Sequence, residues 1–243
     1  MLHTMRVFSS EEAGPARVAP SPEGAAGPAA VAPSPEGAAG PAASFYFDLA
    51  SPQAYLAAER VLATVPGPCP WQPVLARELP GAESFEAYRC ETEMLAARES
   101  VELRAASLGL LPIVWPAQFP FDSELAMLAA TYAQQIGKGV AFALAAFRQA
   151  FAGGNALSIE ENVLIAGAAC EIHPNAILKA VATRSVREQL ERATTEAIAL
   201  GVSDVPAVRV GERVLVGEAR IEEARLLWTA FSPAVAGRTL RTR

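Results

Sequence analysis

The sequence predicts an α/β domain in which a large all-helical block interrupts a small sheet. Three observations carry that prediction. Residues 44–49 form an apolar and aromatic run that leads directly into a helix start at Ser51-Pro52. Residues 84–200 read almost entirely as helix. Two short β-type runs, Pro206 to Val210 and Arg213 to Val216, flank Gly211-Glu212, a two-residue hairpin signal.

In chain order, residues 1–43 stand apart. The segment from Val18 to Ala30 reads VAPSPEGAAGPAA and is repeated letter for letter from Val31 to Ala43. Rich in Pro, Ala and Gly and without an aromatic residue, it cannot form a core, so a disordered tail is expected. The ordered domain is expected over 44–232. Its first strand, 44–49, is apolar apart from Asp48, as a central buried strand requires. Helix one runs from about Pro52 to Val65, with Tyr55, Ala58, Leu62 and Val65 on one face, and Pro66-Gly67-Pro68 ends it. Cys69 to Leu75 (CPWQPVL) is read as a second short strand whose two prolines suit an edge or a bulged position.

The helical block follows. Ser84 is placed to cap a helix reaching Leu108, which Gly109 stops. The prolines of 110–121 (LLPIVWPAQFPF) mark a loop. A next helix sets Leu125, Leu128, Ala129, Tyr132 and Ile136 on one face, and another sets Val140, Leu144, Phe147 and Phe151. Ser158 with Glu161 and Ser185 with Glu188 have capping-box spacing. Val186, Leu190, Ala193, Ala197 and Leu200 form the last stripe, with Gly201 as its cap. After the hairpin, Ile221 to Ala230 is a final helix.

Composition narrows the function classes. A net charge of -6 and a pI near 5.1 argue against nucleic acid as a partner, since phosphate binding needs a basic face. No run of 18 apolar residues occurs, so no membrane span is expected, and no charged segment followed by an apolar one opens the chain, so no secretory leader is expected. Cys69, Cys90 and Cys170 are odd in number and far apart, which suits reduced thiols in the cytoplasm better than a disulfide framework. The histidines, His3 and His173, give no metal-ligand spacing, and His173-Pro174 suits a loop or a cap.

The functional signal lies at Ser51-Pro52. A strand that ends at a helix N-terminus presents free backbone N–H groups and the positive end of the helix dipole, which favour an anion. Ser51 is also an ordinary N-cap, and the two roles are compatible.

FYFDLASPQAYLAAE (45–59) and GVSDVPAVRVGERVLVGEARIEE (201–223) together resemble the 2-hydroxychromene-2-carboxylate isomerases and kappa-class glutathione transferases, within the DsbA-like thioredoxin superfamily. LGLLPIVWPAQFPFDS (108–123) is similar to a Pro-rich loop of that family, so the resemblance covers about 44–230. It implies a thioredoxin-like fold with its helical insertion at about 84–200. In redox relatives a C-x-x-C opens helix one; here Ser51-Pro52-Gln53-Ala54 stands in its place, so disulfide exchange is not implied. The resemblance implies instead that Ser51 donates a hydrogen bond to the sulfur of glutathione or another thiol. It further implies a cis peptide at Val205-Pro206, with Val205 pairing the cysteinyl part of the ligand in the manner of strand addition. Asp122-Ser123 stands where the family has Asn-Ser lining the site, and capping Glu124 is the other role open to it. Trp71 and Arg77 lie where the family makes contacts after its second strand.

One departure stands out. Where the family carries W-G-x-D-R after the hairpin, this chain has Val216-Gly217-Glu218-Ala219-Arg220. Ala219 takes the place of the acidic residue that holds the γ-glutamyl group, and Glu218 is the acid nearest by. The expected activity is a thiol-dependent isomerase or transferase acting on an electrophilic aromatic or unsaturated small molecule, with a hydrophobic substrate pocket under the helical block. A non-catalytic binding module of the same fold is the alternative, and a homodimer is a further arrangement that the resemblance implies. A thiol–disulfide oxidoreductase using Cys69, Cys90 or Cys170 ranks last, because none stands at the helix start.

Overall fold

The computed structural model describes residues 42–81 and 91–231. The tandem repeat therefore lies outside the described residues except for Ala42 and Ala43. Ala43 belongs to the first strand, β1 (Ala43–Phe47), all five residues of which are buried. Strand β2 (Trp71–Pro73) runs parallel to β1 at the edge of the sheet. Strands β3 (Ala207–Val210) and β4 (Arg213–Val216) form an antiparallel hairpin on the other side of β1. The order is β2-β1-β3-β4, a four-stranded mixed sheet. Edge placement explains how the short β2 tolerates its prolines, which cannot donate to a ladder. Gly211 turns the hairpin with a φ of 59°, and its N–H donates to the Ala42 carbonyl at 2.9 Å.

β1 is buried throughout, with Ser44 its one polar side chain, because both faces of the sheet are covered. Phe45 and Phe47 join the larger core with Val208, Val210 and Leu215, beneath α1 (Pro52–Thr64) and α8 (Ile221–Phe231). Tyr46 and Ala207 face a smaller cluster with Val74, Leu79, Ala197 and Val202 on the opposite side. Trp71 stands edge-on to Phe45 and Phe47, with ring centroids 4.9 and 5.8 Å away.

Between the strand pairs lies the helical block. Its described members are α2 (Glu91–Ser107), α3 (Glu124–Gln135), α4 (Gly139–Phe151), α5 (Glu160–Ala168), α6 (Pro174–Val181) and α7 (Arg184–Ala199). The proposed cap Ser84 lies outside the described residues. Gly109 follows α2 with a φ of 68°, which only glycine adopts freely. Residues 110–121 form the expected loop.

Several helix faces differ from the periodic reading. Leu62 of α1 and Ile136 beyond α3 are exposed, while Ala54, Ala57 and Val61 take the buried positions of α1. In α3 the buried set is Ala126, Met127, Leu128, Ala129, Ala130, Thr131 and Ala133, a wide face of small residues. Alanines let neighbouring helices approach closely from more than one side, so the face is broader than a stripe of large residues marks. Leu200 is likewise exposed at the end of α7.

Neither capping box forms as expected. Ile159 is the N-cap of α5 and Thr183 that of α7, both without a side-chain cap bond. Ser185 sits inside α7, and Glu188 pairs with Arg184 instead. His173 does cap: its Nδ1 accepts from the Asn175 N–H at 3.1 Å, with Pro174 opening α6.

Candidate functional site

The site is built where β1 ends and α1 begins. Ser51 has extended backbone, and its hydroxyl oxygen accepts from the Ala54 N–H at 3.1 Å, with Pro52 at the first helical position. The hydroxyl is fully buried. Its acceptor side serves the helix, and a serine hydroxyl carries one donor proton besides its two lone pairs. No cysteine stands in residues 48–54.

The antiparallel register sets Tyr46 against Ala207, so the next step along the two strands brings Phe47 alongside Pro206. The Val205-Pro206 peptide is cis, as the resemblance implies. The Val205 N–H donates to the Asp204 carboxylate at 2.8 Å, so a strand-like ligand must share or displace that bond. Gly217 closes the same corner: its N–H donates to the Pro206 carbonyl at 2.7 Å.

Asp48, which the sequence marks only as a polar residue in an apolar run, is a buried junction. Its carboxylate accepts from the backbone N–H of Ala50 and of Ala76, each at 2.9 Å, and the Ser123 hydroxyl lies beside it. Its backbone carbonyl accepts from the Ser51 N–H at 3.1 Å. Burial pushes its pKa above the ordinary 3.8, and these donors oppose the rise. The signal available in the sequence was a carboxylate three residues before the helix cap inside a fully apolar strand. Such a group must be satisfied by backbone donors or become very costly.

Ser123 is therefore brought to the site through Asp48, and it is buried. Asp122 is not: it is exposed, accepts from the Glu124 N–H at 2.9 Å, and pairs with Arg77 at 3.2 Å. Capping is the role the structure gives Asp122. Arg77 also donates to Glu124 at 2.7 Å, and Arg187 of α7 meets the same carboxylate. These two arginines hold the Glu124 carboxyl below its ordinary value. Trp71 faces the core rather than the site.

Glu218, the acid next to Ala219, is paired within the chain. It is buried, and both of its oxygens are taken by the chain's own arginines. Arg60 of α1 pairs with one oxygen, and Arg104 of α2 spans both at 2.9 and 3.1 Å. A carboxylate so paired is a structural anchor for the 3₁₀ turn Glu218–Arg220.

The two described thiols are not activated. Cys69 and Cys170 are free and half-buried, and Cys90 lies outside the described residues. Burial pushes the Cys69 thiol up to about 12 and raises Cys170 as well. A nucleophilic cysteine needs the opposite shift. Among the described residues no cluster of His, Cys, Asp and Glu is placed to hold a metal ion, and no helix is long and apolar enough to cross a membrane.

A family model for the DsbA-like thioredoxin domain matches residues 43–226. No curated protein matches the chain. The solved structure of a 2-hydroxychromene-2-carboxylate isomerase is similar with a TM-score of 0.68 at 17% identity, over 83% of this chain and 99% of that one. A probable DsbA oxidoreductase from Streptomyces coelicolor follows with a TM-score of 0.61 at 19% identity, over 84% and 93%. The cytosolic disulfide reductase DsbM from Pseudomonas aeruginosa, solved with GSH, gives 0.56 at 15% identity, over 80% and 99%. At these identities the likeness is one of fold.

Proposed function

The chain belongs to the DsbA-like thioredoxin family, and on that premise we propose that it is a glutathione- or other thiol-dependent isomerase or transferase acting on an electrophilic aromatic or unsaturated small molecule. One observation carries this reading. The position that opens helix one holds a serine whose oxygen is fixed by the Ala54 N–H and whose hydroxyl still carries a donor proton. When bound, the thiol supplies a nucleophilic sulfur that adds reversibly to an electron-poor double bond, with release after rotation giving isomerisation and retention giving transfer. The chain's part is to lower the thiol pKa. The Ser51 O–H and the N-terminus of the 13-residue α1 favour the anion. In this reading Val205 and Pro206, whose peptide is cis, meet the ligand from β3, and Ser123, bonded to Asp48, lies on the side of the helix start. The likeness to a 2-hydroxychromene-2-carboxylate isomerase and to a GSH-bound reductase supports the choice of reaction and of thiol. The test is thiol-dependent isomerisation of a conjugated aromatic enone: loss of turnover in Ser51→Ala supports the reading, and unchanged turnover refutes it.

A second reading, a non-catalytic binding module of the same fold, is favoured by one observation. Glu218 is closed off by Arg60 and Arg104, and Ala219 stands where the relatives have an acid. Failure to bind any low-molecular-weight thiol would favour this reading.

A further inference from the structure

A cleft of about 410 Å3 lies between α1, α4 and the loop that follows α2. Its size falls in the range of ligand sites, roughly 300–1,000 Å3, and it sets an apolar wall against a few polar groups. Leu110, Leu111 and Pro112 form one wall. The polar groups come from the opposite side, where Tyr55 and Glu59 sit four residues apart on one face of α1.

Tyr55 is the telling residue. It is 1% exposed, its ring packs against Phe147 and Phe151, and its hydroxyl has no hydrogen-bond partner among the described residues. Its oxygen is not sealed in the core but opens to the cleft. Burial and the Glu59 carboxylate push its pKa up, so it stays protonated and is a donor near neutral pH. Glu59 is mostly buried and is held by Arg148 through two bonds of 2.6 and 2.7 Å. Each of its oxygens keeps a second lone pair. The cleft is therefore lined by a donor and an acceptor one helical turn apart. Its formal charge is balanced, because Glu59 and Arg148 cancel.

We propose that this cleft binds a small, flat, uncharged aromatic carboxamide, its carbonyl accepting from the Tyr55 hydroxyl and its N–H donating to Glu59. The ring lies against Leu110, Leu111 and Pro112. A carboxylate in place of the amide has no proton for Glu59 and meets its negative charge. The site shares α1 with Ser51 but uses none of Ser51, Val205 or Pro206, so it stands whether or not a thiol binds there.

The test is a titration of the full ¹⁵N-labelled chain with benzamide, followed by amide chemical shifts. Saturable shifts at Tyr55, Gly109, Leu110 and Leu111 are expected. Tyr55→Phe keeps the ring packing and should weaken binding about fivefold or more, the loss of one hydrogen bond. Leu111→Arg, at a position 59% exposed and so tolerant of change, should weaken it at least as much by filling the mouth. Benzoate should bind more weakly than benzamide. The absence of saturable shifts in the cleft, affinity unchanged in either variant, or equal affinity for benzoate would overturn the proposal.

Discussion

The Ser51 hydroxyl accepts a hydrogen bond from the Ala54 N–H at 3.1 Å, so the side chain proposed to meet the thiol is also the cap of α1. Its structural and functional parts separate by substitution. Alanine at an N-cap costs about 1 kcal/mol, whereas glycine costs only about a few tenths. Ser51→Gly is therefore expected to melt within about 1 °C of the parent chain, and Ser51→Ala about 2–4 °C lower. Both lose thiol-dependent turnover alike. Thermal unfolding and activity measured on the same preparations check this.

Asp48 stabilises the corner by accepting from Ala50 and Ala76. Asn at this position replaces one acceptor oxygen with an amide that faces a backbone N–H. A loss of about 1–3 kcal/mol is expected in denaturant unfolding. The pH dependence has a definite sign. A carboxyl whose folded pKa is raised binds its proton more tightly in the folded state. Its contribution is fully present below 3.8, the ordinary value, and is lost as pH rises through the raised folded value. The stability gap between the parent chain and Asp48→Asn should therefore narrow as pH rises across that window.

Glu218→Gln leaves Arg60 and Arg104 without their shared carboxylate. Arg104 is partly exposed, so solvent screens part of the loss. A decrease of about 1–3 kcal/mol is expected. Thiol affinity should change less than about threefold, since the carboxylate is already occupied. A large loss of affinity without a loss of stability would restore Glu218 to the ligand site.

The cysteines should be sluggish. With a pKa of about 12, Cys69 carries about a thousandfold less thiolate at pH 8 than an ordinary thiol. In a Cys90→Ser, Cys170→Ser background, its reaction with a chromogenic aromatic disulfide should be slower than that of free cysteine by a comparable factor. Insulin reduction by the parent chain should stay at the uncatalysed rate.

Much of the fold was legible because its signals are local. The apolar run of β1, the Ser51-Pro52 start, the Gly211 turn and the Gly109 stop each follow from neighbouring residues. The faces of α3 were not, because alanine carries little hydrophobic signal yet packs tightly, as Ala126, Ala130 and Ala133 do. The capping boxes failed for a related reason: Ser158 and Ser185 have the right spacing, but the chain starts each helix elsewhere. At the site, Ser51 and Val205-Pro206 could be marked from the sequence. The occupation of Glu218 by Arg104, 114 residues earlier, and the link from Asp48 to Ala76 could not, since nothing local announces a long-range pair.

The measurement that bears most directly on the thiol-dependent reading is a calorimetric titration of the full chain with glutathione, run beside Ser51→Gly. The account predicts saturable one-site binding to the parent chain, weakened about tenfold or more in Ser51→Gly while its melting temperature is kept, as expected from loss of a hydrogen bond to a charged sulfur. Saturable binding of equal strength in both proteins, or no binding to the parent chain, would contradict it.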